Sequence, residues 1–166
     1  MIIKLLGGFL LVLCGGMLGL GRLKEIKRQL FAIEEMDRCL ALMESEISLC
    51  ERPLPEIFEK LALICTKSCR SVFSEMSQAC LEKSAAEAWR RGVAKLELGD
   101  EAENALLSLS DVLGFTEGRR QSAEIENTRK RLSPLMEKLR HRIEEKGKCY
   151  PLLGACFAGI AALMII

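Results

Sequence analysis

Apolar residues fall into two kinds of pattern along this chain: unbroken runs near its ends and helical stripes between them. Residues 5–21 form a run of 17 without a formal charge, and residues 149–166 form a second of 18. A helix rises ~1.5 Å per residue, and a ~30 Å hydrocarbon core is crossed by about 20 apolar residues, with ~17 as the lower limit. Both runs are therefore expected to be short transmembrane helices. The predicted organisation is a span over 1–21, a helical bundle over 22–148 and a second span over 149–166.

Between the runs the period is helical. Leu23, Ile26, Leu30, Ile33, Met36, Leu40, Met43, Ile47 and Cys50 recur in steps of three and four, so the first span should continue as one long helix. Pro53 and Pro55 stop it, and Pro55 suits the first turn of the next helix. Shorter helices are predicted over 55–66, with Ile57, Phe58, Leu61 and Ile64 inward, and over 70–82, with Val72, Phe73, Met76 and Cys80 inward. Ser84 and Glu87 have capping-box spacing and open a helix over 85–97. Asp100 and Glu103 repeat that spacing for a helix ending at Gly114. Thr116 should cap the final helix, with Ile125, Leu132, Leu135, Met136, Leu139 and Ile143 on one face. Pro134 is expected to kink it, Gly147 to punctuate it, and Pro151 to sit in the first turn of the closing span. The fold class is all-α.

Charge adds an orientation. Only Lys4 lies outside the middle region, which holds the other 23 basic residues and all 23 acidic ones. Arg22, Lys24, Lys27 and Arg28 follow the first run, and Arg140, Arg142, Lys146 and Lys148 precede the second. The positive-inside rule then places the bundle in the cytoplasm, against an opposing pull from Lys4. No A-x-A-like site follows the first run before Arg22, so a retained anchor is expected rather than a cleaved leader. A balanced charge without a basic stripe argues against nucleic-acid binding.

Candidate chemistry is sparse. Eight cysteines (14, 39, 50, 65, 69, 80, 149 and 156) lack the spacing of a small disulfide scaffold and read as reduced, largely buried residues. His141 is the only histidine and stands among charged neighbours, so no mixed metal site and no cofactor is expected. Cys65 and Cys69 share a helix face, which leaves a thiol-redox pair open. There is no P-loop, so the chain is not itself an ATPase. Glu34, Glu35, Glu44, Glu46 and Glu51 read as a solvated face, except that Glu46 stands at a helix end where it can fix the proline turn or meet a partner. In the runs, Gly15 with Gly19 and Ala155 with Gly159 are small-residue pairs suited to close helix packing.

Several stretches together resemble the stage III sporulation protein AB family of endospore-forming bacteria, over essentially the whole length. They are the opening anchor through Arg22, ESEISLCERPLPEIFEKLA (44–62), EAWRRGV (87–93), LSDVLGFTEGRRQ (109–121) and the closing apolar helix. Glu117, where the family more often has Asp, and the many cysteines are departures. The resemblance implies a cytoplasmic domain similar to the inner-membrane platform proteins of type II secretion and type IV pili. It implies an integral protein of the mother-cell (outer forespore) membrane, one of an eight-protein set that builds a transenvelope complex with a forespore protein. It also implies partners: a secretion-type ATPase like the AA protein of that set, and the set's other membrane proteins.

The expected function is a non-enzymatic platform that docks the ATPase. The expected partner-binding residues are those in the matching elements, Glu46, Arg52, Glu56, Glu117 and Gln121. The alternatives are a membrane-bound thiol oxidoreductase using Cys65 and Cys69, and a lipid-binding membrane subunit that makes no ATPase contact.

Overall fold

The computed structural model describes the backbone over 2–50, 52–82, 84–114 and 117–163, and side chains over 21–145 apart from 22, 51, 67, 68, 83, 115 and 116. Among these residues there are six α-helices, one short 3-10 turn and no strand. The chain divides into two units, one of residues 29–137 and the other of residues 1–28 with 138–166.

The long apolar stripe is carried on a single helix, α1 (Ile2–Cys50). Ile33, Met36, Leu40, Met43 and Ile47 on it are all buried. Pro53 is the N-cap of α2 (Leu54–Ile64), and Pro55 lies in its first turn, where a missing N–H costs nothing. Cys65 ends α2 in an extended conformation, and α3 (Lys67–Glu82) follows at once. Ser84 caps α4 (Ala85–Val93) through its hydroxyl, which accepts the Glu87 N–H at 3.3 Å, half of the expected capping box. Next come α5 (Asp100–Leu107), a 3-10 turn (Ser108–Asp111) and α6 (Gly118–Leu163).

Some boundaries differ from expectation for local reasons. Helix α3 starts three residues earlier than its apolar period suggests, because Glu35 clamps Thr66 ahead of it. Helix α4 stops at Val93 rather than near 97, and the cap of α5 is Gly99, not Asp100. Ile64 was expected inward but is exposed, since α2 ends there and Cys65 takes the buried place. Helix α6 runs on through Pro134, Gly147 and Pro151 without a break. A proline removes one backbone bond, and the buried face of Ile125, Thr128 and Leu132 offsets that loss around Pro134. The Thr116 cap lies outside the described residues. So do the side chains of Gly15, Gly19, Ala155 and Gly159. The backbone of both apolar runs is helical as far as 163. Among the residues whose side chains are described, which leave out nearly all of both runs, no helix is long and apolar enough to cross a membrane.

In the unit of residues 29–137 the core centres on Trp89, which is fully buried. Its indole N–H donates to the Leu106 carbonyl at 2.7 Å, and its ring stacks on Phe58 with centroids 6.2 Å apart. Phe58 in turn meets Phe73 at 6.3 Å. Three helices are thereby joined through aromatic rings, and the indole hydrogen bond brings in α5. Helices α3 and α4 approach closely at Gly92, where an added Cβ would fall 1.9 Å from Met76 Cε and 2.8 Å from its Cγ. Arg129 on α6 joins that helix to α1, donating to Asp37 at 3.0 Å and to Glu44 at 3.2 Å.

Two substitutions test this packing. Gly92→Ala forces Met76 aside and should lower unfolding free energy by about 1–3 kcal/mol in urea titration, despite alanine's better helix propensity. Thr128 is fully buried and its hydroxyl has no hydrogen-bond partner among the described residues. Thr128→Val removes that unsatisfied group at nearly constant shape and should stabilise the fold by about 1 kcal/mol in the same assay.

Candidate functional site: a groove at the proline turn

The end of α1, the proline turn and the start of α6 frame a groove of about 1030 Å³. Its walls include Arg52, Pro53 and Pro55 on one side and Glu117, Arg119 and Gln121 on the other. Gly114 lies on its border with φ +81°, a left-handed conformation that suits glycine, and a Cβ there would stand 3.0 Å from that of Ala85. Gly114 therefore lets the chain turn close against α4 before α6 begins.

One buried carboxylate fixes the turn. Glu46 on α1 is 7% exposed; its Oε1 accepts from Lys60 Nζ on α2 and its Oε2 pairs with Arg52 Nε at 3.1 Å. The Arg52 backbone N–H also reaches the Glu46 carbonyl at 3.5 Å. The ammonium of Lys60, helped by Arg52, holds the Glu46 carboxyl below the usual carboxylate range against the opposing effect of burial. The guanidinium of Arg52 is half-exposed, so it faces the groove while anchored from behind.

A second buried carboxylate sits on the same helix. Glu35 accepts the Thr66 backbone N–H at 2.6 Å and the Thr66 hydroxyl at 2.7 Å, and so holds the N-terminus of α3. Burial alone would raise this carboxyl, but the two Thr66 bonds outweigh it and hold it low. At the groove itself, burial pushes the Cys80 thiol up to about 11, so it stays protonated.

The five expected residues thus divide. Arg52 meets Glu117 and Gln121, which lie more than 60 residues further along the chain, at one groove. Glu46 lies behind it with its carboxylate committed inside the fold, and Glu56 is exposed in the first turn of α2. Lys60 was not singled out, because on α2 it reads as the i+4 surface partner of Glu56. Glu35, expected on the solvated face, is buried instead, because Ile33, Met36 and Cys39 place it beside the buried stripe and Thr66 satisfies its carboxylate. Among the described residues no group of three or more His, Cys, Asp or Glu side chains is arranged to hold a metal ion.

A family model described as stage III sporulation protein AB matches residues 4–166. A solved structure described as stage III sporulation protein AB (SpoIIIAB) superposes with a TM-score of 0.65 at 20% identity, covering 70% of this chain and 97% of that one. The fold is therefore shared with it. No curated protein matches the chain.

The Glu46 pairing has a pH signature. A carboxyl depressed in the folded state stabilises that state above its unfolded value near 4.5, and the contribution is lost as pH falls through the lower folded value. Urea midpoints of the wild type should therefore fall more steeply below about pH 4.5 than those of Glu46→Gln, and the variant should be the less stable protein at pH 7. Parallel pH profiles for the two proteins would show that the pairing does not support the fold.

Proposed function

The chain belongs to the stage III sporulation protein AB family, and from that premise we propose that it is a non-enzymatic platform subunit of a sporulation complex, docking a cytoplasmic secretion-type ATPase. The observation that carries this reading is the groove, where two segments of family resemblance, 44–62 and 109–121, come together around Arg52, Glu117 and Gln121. Their side chains offer both signs of charge and an amide beside two rigid prolines. That combination suits a polar protein surface better than a small apolar ligand. Rigidity matters because a preformed face loses little conformational freedom on association. The ion pairs of Glu46 supply it from behind.

In this proposal the apolar runs of α1 and α6 lie in the mother-cell membrane facing the forespore, and the other membrane proteins of the complex meet them there. A helix over residues 1–21 is ~30 Å long, enough to cross a hydrocarbon core. The intervening residues are displayed to the cytoplasm, as the basic flanks on both sides favour.

Binding of the full chain in nanodiscs to the cognate AA-type ATPase tests the docking step. We expect micromolar or tighter affinity, weakened at least tenfold by Arg52→Glu or Glu117→Lys in variants with wild-type circular dichroism. A charge reversal at Glu56, outside the groove, should leave affinity within about threefold. Absence of binding in nanodiscs would sink the docking mechanism. Equal losses from all three reversals would place the contact elsewhere.

A further inference from the structure

Away from the groove, three thiols and a carboxylate gather where α1 meets the α2–α3 junction. Cys39 on α1 and Cys65 at the end of α2 have their sulfurs 3.1 Å apart, about 1 Å more than the ~2.05 Å of a formed disulfide. Both are free thiols and both are buried. A cavity of about 260 Å³ opens onto the pair, lined also by Arg38, Leu42, Leu61 and Ile64. That space admits a small oxidant. The sequence paired Cys65 with Cys69, but Cys69 bonds to Glu35 instead; burial first, then the nearby carboxylate, pushes its thiol up to about 12.

We propose that Cys39 and Cys65 form a peroxide-responsive dithiol site, in which Cys65 is the sulfur oxidised first and Cys39 the thiol that resolves it. The division of roles follows from their surroundings. The hydrogen bond between them pushes Cys39 up and holds Cys65 below the ordinary thiol value against burial and the nearby Glu35 carboxylate, with Arg38, which lines the same cavity, and Arg70 helping the Cys65 thiolate. In the first step the Cys65 thiolate attacks one oxygen of hydrogen peroxide and the O–O bond breaks. The sulfur becomes a sulfenic acid, and the departing hydroxide takes the proton Cys65 had released, leaving as water. In the second step the Cys39 sulfur attacks Cys65, losing its proton to the departing hydroxyl, which leaves as a second water. The balance is two thiols and one peroxide giving one disulfide and two waters.

Closing the last ångström is feasible because the residues between α2 and α3 are not helical, so Cys65 can move without breaking a helix. The bond would tie α1 to the α2–α3 junction across a separation of 26 residues. By the loop-closure argument its formation should raise the melting temperature by roughly 10 °C. This site is independent of the docking groove and holds whether or not an ATPase binds.

The test treats the reduced full chain in detergent with hydrogen peroxide, blocks the remaining thiols by alkylation and maps peptides without reduction. The expected result is a Cys39–Cys65 cross-link, reversed by dithiothreitol, formed while the exposed Cys50 remains largely alkylated. In Cys39→Ala the cross-link should vanish and Cys65 should instead accumulate as a dimedone-reactive sulfenic acid, with no rise in melting temperature. Oxidation of Cys50 ahead of Cys65 would mean that reactivity follows exposure alone and would overturn the proposal. A Cys65–Cys69 bond, or a Cys65 inert to dimedone in a Cys39→Ala protein of wild-type helix content, would overturn it equally. Should Cys39→Ala fail to fold, the wild-type peptide map decides.

Discussion

A carboxylate taken out of water must find cations or hydrogen-bond donors, and on α1 two such groups organise what surrounds them. Glu46 gathers Lys60 from α2 and Arg52 from the turn, so the helix end, the proline corner and the following helix share one charge. Glu35, three turns earlier, takes both donors of Thr66 and sets where α3 begins. Each leaves a costly buried group if its partners are lost. The apolar stripe decides that α1 is buried, and the two acids decide which parts of the chain lie against it. Arg129 adds α6 to the same helix through Asp37 and Glu44.

Much of this was legible in local chemistry. Pro53 and Pro55 mark the corner because both lack a backbone donor and both fix φ, whatever else the fold does. Ser84 caps α4 through a bond only three residues long. The stripe from Ile33 to Ile47 reads directly as a buried face, since its period is that of the helix. Family resemblance alone singled out Arg52, Glu117 and Gln121, from two separate segments, and only the fold brings them to one groove.

What sequence did not disclose depends on groups far apart along the chain. Glu35 reads as a member of a solvated acidic face, and its burial is set by Thr66, 31 residues away; Glu46 stands out at its helix end, but its partner Lys60, 14 residues on, does not. Cys65 points to Cys69 by helical spacing, yet α2 ends at Ile64, so the two cysteines are not on one helix. The start of α3 shifted for a similar reason, the Glu35 clamp on Thr66. A tertiary contact, not the period of the segment, fixed the boundary.

The core also carries its own spectroscopic probe. Trp89 is the only tryptophan, and the only tyrosine is Tyr150. The indole is sealed from solvent, stacked on Phe58 and bonded to a backbone carbonyl on another helix. Its emission therefore comes from a single, uniform environment and moves to longer wavelength only when water reaches the junction of α2, α4 and α5. Intrinsic fluorescence of this protein thus reports one place in the bundle, so a ligand that leaves it unchanged has bound without opening the core.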